Sequence, residues 1–258
     1  NLVYFLASVF LTFILVRLLT GNSVIAIISG LIFLIHPLNT ETVNWIATVP
    51  ELTYLIFTLL GTIFWFLYRR DDVKSHLYLT YLFFTLGIFS KEPAVFLPFI
   101  LLFLDLAYFK KKIADFFKFE ESWPYLIFIG IFAIYMGARF AVLSGLGAGL
   151  FYTVTVTDKI YVFFDLFAQY LKKLFYPSPL NLFYEFNPAY AWFSLRFLSS
   201  VLIVLGFFGT LIISLTKKWN IISFALIWMF VFLSPALLFI NSLGENVFSE
   251  RYAFASTV

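Results

Sequence analysis

Long apolar runs separated by short polar stretches dominate the pattern of this sequence. A helix needs about 20 apolar residues, within a range of roughly 17–25, to cross a bilayer. A single apolar segment in lipid must be helical, because only a helix satisfies all of its own backbone groups. The runs of about this length are 1–18, 50–69, 94–109, 123–142, 194–216 and 220–240. The pattern therefore predicts an all-α fold, a polytopic transmembrane helical bundle.

Two shorter apolar segments lie between these runs, at 23–36 and 76–90, and 251–258 has the pattern of a further span that begins there. A helix of about 14 residues rises only about 21 Å, less than the hydrocarbon thickness of about 30 Å. We therefore expect His36 and Lys91, at the ends of the two segments, to lie below the membrane surface. Irregular backbone at that depth must line a protein cavity, so the pattern predicts a polar cleft that opens outward and to lipid.

Residues 158–176 have a different pattern, in which polar side chains recur at helical spacing and form one stripe. The stripe consists of Asp158, Asp165, Gln169, Lys172 and Lys173. It favours an amphipathic helix that lies at the outer membrane interface. A membrane-spanning helix at this position is the alternative.

Basic clusters in short loops indicate orientation, because Lys and Arg are concentrated in cytoplasmic loops. The clusters lie at 69–74, 110–112 and 217–218. They share one side if the spans alternate along the chain, which leaves residue 1 outside. The outward loops are then 36–50, 90–93, 143–193 and 241–251. The sequence thus predicts an integral membrane protein whose polar clusters gather on the outward face.

Composition narrows the class of protein. The chain is 62% hydrophobic and 12% charged, whereas a soluble domain carries about 25% charge. The net charge of +3 argues against a nucleic-acid partner, and the lack of cysteine excludes disulfides and thiolate metal sites. The two histidines, His36 and His76, fall on opposite sides of the predicted topology, so we expect no histidine metal site. The chain contains no glycine-rich phosphate loop, nucleophile elbow or HExxH motif.

Lys91 and Glu92 lie between two apolar segments. An ammonium at membrane depth attracts an anion, and a lipid phosphate is the anion that reaches it from the bilayer. Lys91 is therefore a candidate phosphate ligand. In the alternative interpretation it pairs with Glu92 or extends to the interface. We expect Glu92 to orient the lysine.

The polar stretch 36–51 holds three further candidates. A short helix is predicted to start near Asn39. It would hold Glu41, whose carboxylate is suited to binding sugar hydroxyls, acting as a base or holding a cation. Glu51 follows in the first turn of the next span, where compensation of the helix dipole is the alternative role. For His36, the alternative is a histidine that backbone carbonyls satisfy at a helix end.

Glu250, Arg251 and Tyr252 open the final segment. A guanidinium beside a carboxylate at the outer interface is suited to a phosphate or pyrophosphate. The alternative is a structural ion pair that ties this loop to a neighbouring one. Arg139 and Arg196, near the outer ends of their spans, are interpreted as interfacial anchors.

These residues resemble the signature of one group of membrane enzymes. The run is His36-Pro37-Leu38-Asn39-Thr40-Glu41-Thr42-Val43-Asn44-Trp45-Ile46-Ala47, with Glu51-Leu52 after it. It is similar to the pattern HPxHTEAVxxxxGRxDLL of the transmembrane and tetratricopeptide-repeat-containing O-mannosyltransferases and their prokaryotic relatives, in the GT-C superfamily. Two more blocks resemble that family: Ser90-Lys91-Glu92 with the apolar run to Asp105, and Ser249-Glu250-Arg251-Tyr252.

The chain departs from the pattern at several positions. Asn39 stands for a histidine, Thr48-Val49 for the Gly-Arg pair and Glu51 for an aspartate. One cationic side chain of the pattern is therefore absent, and we expect substrate contacts to differ from those of eukaryotic members.

The resemblance implies a single GT-C-like transmembrane domain over residues 1–258 that is truncated at both ends. The first span and the acidic loop that carries the catalytic base would precede residue 1, and tetratricopeptide repeats would follow residue 258. Glu41 and Glu51 are then secondary candidates for the base. Lys91 and Arg251 would bind the donor phosphate. The residues that would shape the site are His36, Glu41, Glu92, Glu250 and Tyr252.

We therefore expect an inverting glycosyltransferase that moves a hexose such as mannose from a polyprenyl-phosphate donor to an acceptor hydroxyl of a protein or glycan. It would act on the outward face of a prokaryotic plasma membrane. The lipid-linked sugar is the donor substrate, no cofactor is assigned and the need for a divalent metal stays open. The alternatives are a transporter or flippase of lipid-linked saccharides and a structural membrane anchor. A transporter should carry polar groups at mid-membrane, whereas the span centres here are nearly uncharged.

Overall fold

A computed structural model describes five parts of the chain: residues 1–143, 156–181, 184, 193–238 and 248–258. Within these parts every regular element is a helix and no strand occurs. The predicted all-α, polytopic helical fold is confirmed. Much of the two predicted outward loops at 143–193 and 241–251 lies outside the described residues.

The described α-helices alternate with short connections. They are α1 (Leu2–Thr20), α2 (Ser23–Ile35), α3 (Asn39–Asn44), α4 (Val49–Asp71), α5 (Lys74–Ser90), α6 (Leu97–Ala107), α7 (Phe119–Leu143), α8 (Val156–Phe175), α9 (Leu195–Thr216) and α10 (Asn220–Leu238). Short 3-10 helices cover Ile46–Thr48, Glu92–Phe96, Ile113–Phe117 and Glu250–Thr257. The short helix expected near Asn39 is α3.

The chain divides into two compact units. The first comprises residues 1–35 and 43–147 with Val258, and the second comprises residues 36–42 and 148–257. The single GT-C-like domain expected from the sequence stays a prediction.

Five described helices are long and apolar enough to cross a membrane. They cover Leu2–Thr20, Ile46–Asp71, Phe119–Val142, Leu195–Thr216 and Asn220–Leu238. Each corresponds to one of the six long runs read from the sequence. The short helix α2 has 13 residues, as the pattern predicts.

The sixth run, 94–109, does not form a helix of spanning length. Its first residues belong to the 3-10 helix Glu92–Phe96, and α6 has only 11 residues. Two prolines explain the difference: Pro93 and Pro98 each lack a backbone N–H, so each is tolerated at a helix start but not in its interior. A helix of 11 residues rises roughly 16 Å, about half of the hydrocarbon thickness.

Contacts in the first unit show which helix ends lie together, and they agree with the alternating topology predicted from the sequence. At one end, Asn1 donates from Nδ2 to the Trp45 carbonyl at 2.6 Å. At that end also, the Lys91 ammonium lies 2.5 Å from a Glu51 carboxylate oxygen. These contacts bring the start of α1, the loop before α4 and the end of α5 together. The predicted grouping of these ends is confirmed, and which membrane side they face stays a prediction.

The opposite end of the first unit is held by the buried carboxylate of Asp105 in α6. It accepts hydrogen bonds from Trp65 Nε1 at 2.9 Å, from Arg69 Nε at 3.1 Å and Nη2 at 2.5 Å, and from the Tyr125 hydroxyl at 2.8 Å. Arg69 also binds Glu121 at 2.9 Å. Since buried charges are tolerated only when paired and hydrogen-bonded, this network ties α4, α6 and α7 together.

In the second unit, α8 packs against α9 and α10 around an apolar core. The buried core residues that α8 supplies are Val162, Leu166, Phe167, Ala168, Tyr170 and Leu171. The helix predicted near 158–176 is confirmed and corresponds to α8. This helix is not among the described helices that are long and apolar enough to cross a membrane. Its place at the outer interface stays a prediction.

The polar stripe predicted for this helix does not form one exposed face. Asp165 is 1% exposed. It binds Arg196 of α9 through two contacts, Oδ1 to Nε at 3.2 Å and Oδ2 to Nη2 at 2.7 Å. The Gln169 amide also donates to Asp165, at 3.2 Å. Helical spacing places these residues on one face of α8, where Asp165 contacts α9 and Lys172 is exposed. Arg196, interpreted from the sequence as an interfacial anchor, is the partner of Asp165.

Candidate active site

Glu41 is the centre of the polar cluster in the second unit. Its side chain, on α3, is 6% exposed. One carboxylate oxygen lies 2.9 Å from Ser249 Oγ and 3.2 Å from Arg251 Nη1. The other accepts the backbone N–H of Arg251 at 3.0 Å. Glu41 thus binds Arg251 through both its main chain and its guanidinium.

The segment that carries Ser249 and Arg251 is fixed on α8. The Tyr170 hydroxyl donates to the Ser249 carbonyl at 3.2 Å and accepts from the Ser249 N–H at 3.4 Å. Phe248 stacks on the Tyr170 ring with centroids 4.5 Å apart. Because Tyr170 is fully buried, this contact positions the start of the final 3-10 helix against a rigid partner.

Arg251 and Tyr252 form one cation–aromatic unit beside Glu41. The guanidinium carbon of Arg251 lies 5.1 Å from the centroid of the Tyr252 ring, and Arg251 Nη2 lies 3.4 Å from the Tyr252 hydroxyl. The Arg251 side chain is 18% exposed. A guanidinium held on an aromatic ring and a carboxylate is preorganised, so it loses little side-chain freedom when it binds an anion.

Glu250 belongs to an adjacent cluster of titratable groups. It is 3% exposed and accepts a hydrogen bond from the Tyr184 hydroxyl. Lys173 of α8 donates to the same hydroxyl at 3.2 Å. Burial raises the pKa of the Glu250 carboxyl and the nearby Glu41 carboxylate adds to the rise, whereas Tyr184 and Lys173 oppose it. Burial also lowers the pKa of Lys173.

His36 is satisfied by backbone groups. Its Nε2 lies 3.0 Å from the Leu174 carbonyl oxygen, and its Nδ1 accepts the Leu38 N–H at 3.3 Å. With Nδ1 as acceptor, the proton belongs on Nε2, which then donates to Leu174. These contacts match the alternative interpretation of this histidine, in which it joins the 36–42 segment to the C-terminal end of α8.

The first unit holds a separate pair, Lys91 and Glu51. Glu51 lies in the first turn of α4 and is 6% exposed. Lys91 follows α5 in an extended conformation, and its side chain is 22% exposed. Their 2.5 Å contact joins two residues 40 positions apart. The partner of Lys91 in this pair is Glu51, rather than the adjacent Glu92 of the alternative interpretation.

Glu92 binds Arg139 of α7 instead. Their carboxylate oxygen and Nη1 lie 2.6 Å apart, and the Glu92 side chain is 57% exposed. The Tyr135 hydroxyl contacts the same guanidinium nitrogen at 3.0 Å. Arg139, interpreted from the sequence as an interfacial anchor, therefore holds Glu92 at the start of the 3-10 helix that follows α5.

The predicted site residues thus form two groups. Glu41, Glu250, Arg251 and Tyr252 share the second unit with His36, whereas Glu51, Lys91 and Glu92 share the first. Sequence reasoning missed Tyr170, Tyr184 and Lys173 as partners. Tyr170 and Tyr184 bind residues 79 and 66 positions away, which no local spacing indicates, and Lys173 joins the cluster through Tyr184.

Across the described residues, no group of three or more His, Cys, Asp or Glu side chains is arranged to hold a metal ion. The carboxylates found together, Glu41 and Glu250, have cations and hydroxyls as their partners. These carboxylates therefore serve as hydrogen-bond acceptors, and Glu41 also pairs with a cation.

The all-α fold, with five described helices long and apolar enough to span a membrane, is consistent with a GT-C membrane glycosyltransferase. The family model described as dolichyl-phosphate-mannose-protein mannosyltransferase matches residues 1–138, just over half of the 258-residue chain. The chain belongs to this family. It is an integral membrane protein and a glycosyltransferase of the mannosyltransferase type.

The matched residues contain Glu41, Glu51, Lys91 and Glu92, and Arg251 lies beyond them. The resemblance read from the sequence is confirmed for the GT-C family, while the tetratricopeptide repeats and the prokaryotic type stay predictions. Searches of the curated proteins and of the solved structures found no match.

Proposed function

We propose that this protein transfers mannose from a polyprenyl-phosphate donor to the hydroxyl of a protein Ser or Thr, on the outward face of the membrane. The observation that carries the proposal is the Lys91–Glu51 pair, inside the residues that match the mannosyltransferase family. The name of that family specifies a lipid-phosphate mannose donor and a protein acceptor.

Lys91 is proposed to bind the donor phosphate. Glu51 fixes the ammonium at the end of α5, and the Lys91 side chain is partly exposed. An ammonium carries three N–H donors, so one cation can bind a carboxylate and a phosphate oxygen together. The buried carboxylate holds the lysine in place before the donor arrives, which lowers the entropic cost of binding.

Arg251 is proposed as a phosphate ligand on separate grounds, within the second unit. Its guanidinium is positioned by Glu41 and by the Tyr252 ring. A planar guanidinium with several donors matches the geometry of a phosphate. Glu41 accepts from Ser249 and twice from Arg251, so we assign it to positioning Arg251 rather than to proton transfer.

The proposed reaction is a single displacement. The acceptor oxygen forms a bond to the anomeric carbon of mannose, and the bond from that carbon to the phosphate oxygen breaks. The electron pair leaves on the polyprenyl phosphate, whose growing charge the cation stabilises. The acceptor proton passes to a carboxylate base that is not assigned to a residue of this chain.

The test uses the full-length protein in membranes with polyprenyl-phosphate mannose, labelled in the sugar, and a Ser/Thr peptide. Lys91→Met and Arg251→Met should each lower the rate of transfer by about 10²–10³, the usual loss when one group that stabilises developing charge is removed. Lys172→Met is the matched control, because Lys172 is exposed on α8. Unchanged transfer by Lys91→Met or by Arg251→Met contradicts the assignment of that residue.

The Lys91→Arg variant distinguishes the effect of the positive charge at this position from the effect of the shape of the cationic group. A guanidinium keeps the positive charge but presents it as a planar fork. We expect this variant to keep more activity than Lys91→Met and to show a raised KM for the donor. Equal loss in both variants contradicts a charge-based role for Lys91.

A further inference from the structure

The connection between α6 and α7 is an ordered segment, residues 109–119. The Asp115 carboxylate accepts the backbone N–H of Lys112 at 3.0 Å and contacts the Lys118 ammonium at 3.1 Å. The Phe116 ring packs edge-on against Tyr125 of α7, with centroids 5.6 Å apart. The conformation of the segment is therefore fixed by contacts within the first unit.

This ordered segment nevertheless exposes large apolar side chains. Ile113 is 71% exposed, Phe117 is 88% exposed and Phe119 is 73% exposed. An aromatic ring held in water by a rigid backbone gains nothing from the hydrophobic effect. A cluster of exposed apolar side chains of this kind marks an interaction surface.

Lysines surround these apolar side chains. Lys110, Lys112 and Lys118 are exposed on the same segment. The acidic side chains nearby are Asp115, which is engaged within the turn, the exposed Glu120, and Glu121, which binds Arg69 and Lys111. Exposed aromatic and aliphatic residues flanked by lysines are the pattern of segments that lie in the headgroup layer of a bilayer.

The position of the segment in the first unit fits that layer. Phe119 begins α7, whose residues Phe119–Val142 are a candidate membrane span. Glu121, in the first turn of α7, binds Arg69 from the last turn of the span in α4. The segment is thus attached where two candidate membrane-spanning helices end, and the ends of spanning helices lie at the level of the lipid headgroups.

We propose that residues 109–119 form an interfacial anchor that binds the anionic surface of the bilayer. Ile113, Phe117 and Phe119 insert at the boundary between headgroups and acyl chains, and the three exposed lysines contact lipid phosphates. The anchor fixes the depth of α7 in the membrane. This proposal is independent of the transfer reaction proposed above.

The 258 residues contain no cysteine, and any cysteine elsewhere in the full-length protein is first replaced with serine. A single Phe117→Cys variant of the full chain, labelled with an environment-sensitive fluorophore, is reconstituted in nanodiscs of phosphatidylcholine with or without phosphatidylglycerol. We expect a several-fold rise in emission, at shorter wavelength, when phosphatidylglycerol is present. Raising the salt concentration should reverse it, because exposed charges are screened. A label at the exposed Ile46, at the opposite end of the first unit and in a stretch, 36–56, without Lys or Arg, should not respond.

Variants that remove lysine charges test which lysines bind the anionic lipid. Lys112→Gln with Lys118→Gln should abolish the response of the Phe117 label to phosphatidylglycerol, whereas Lys217→Gln with Lys218→Gln, at the exposed turn after α9, should leave it intact. Equal emission in both lipids, or an equal response at Ile46, overturns the proposal. Emission that depends on the ratio of protein to lipid also overturns it, since a second copy of the chain would then cover these side chains.

Discussion

Replacing Glu41 with alanine removes the acceptor for three donors in the second unit: the Ser249 hydroxyl, the Arg251 N–H and the Arg251 guanidinium. The carboxylate is 6% exposed and the guanidinium 18% exposed. Breaking a buried ion pair by removing one partner costs about 3–5 kcal/mol, because the other charge is left uncompensated. Since Arg251 keeps some contact with solvent, we expect the Glu41→Ala loss near the lower end, about 3 kcal/mol.

The assay is a titration of the protein in mixed micelles with an anionic denaturing detergent, which reports the free energy of unfolding. Glu92→Ala is the matched control, because Glu92 also pairs with an arginine, at 2.6 Å, but is 57% exposed. Exposed ion pairs contribute about 0–1 kcal/mol. The loss of unfolding free energy for Glu41→Gln should lie between the losses for Glu41→Ala and Glu92→Ala, since the amide keeps one acceptor oxygen.

A double-mutant cycle isolates the pair. With Arg251→Met already present, Glu41→Ala should cost less than in the wild type, because no guanidinium is left unpaired. The reasoning is refuted if Glu41→Ala costs no more than Glu92→Ala, or if its cost is the same with and without Arg251.

Two further outcomes follow from other contacts. Burial raises the pKa of the Glu250 carboxyl, so the folded protein binds this proton more tightly than the unfolded chain does. The contribution of Glu250 to the free energy of unfolding therefore decreases as the pH rises above about 4.3, the pKa of a glutamate in an unfolded chain. Glu250→Gln should therefore match the wild type in melting temperature at acidic pH and exceed it increasingly toward neutral pH; a constant difference in a pH series of melting curves contradicts this. A Cβ at Gly61 would lie 2.7 Å from Leu97 Cδ2, whereas no other described atom outside the local helix lies within 4 Å of a Cβ at Gly130. Gly61→Ala should thus lower the free energy of unfolding by about 1–3 kcal/mol from overpacking, and a loss no larger than that of Gly130→Ala would refute the clash.

Length and hydropathy were sufficient to predict five of the six long spans, because a membrane helix is defined by local composition. The run 94–109 failed because Pro93 and Pro98 limit where helices begin, and a count of apolar residues does not weigh the missing N–H groups. Helix α8 was predicted at nearly its observed bounds. The burial of Asp165 was not, since helical spacing shows which residues share a face but not what covers that face.

The candidate residues were easier to predict than their partners. Glu41 and Arg251 each stood out as ionisable groups in an apolar chain, yet they are 210 positions apart, and nothing in their local spacing indicates that they pair. Lys91 lies next to Glu92 in sequence but pairs with Glu51, because adjacency in sequence does not show which carboxylate the fold brings to the ammonium. The Asp105 network was not predicted at all, because Arg69 belongs to the charged cluster 69–74 and was interpreted only as part of a basic loop.

Product analysis with intact full-length protein in liposomes tests the proposed function most directly. Polyprenyl-phosphate mannose labelled in both the sugar and the lipid is supplied together with a Ser/Thr peptide, and free polyprenyl phosphate and mannosyl peptide are both quantified. The glycosyltransferase account predicts that the two products appear in equal amounts and that both fall together in Lys91→Met. Labelled lipid that crosses the bilayer with its mannose still attached, with no polyprenyl phosphate released, would contradict it.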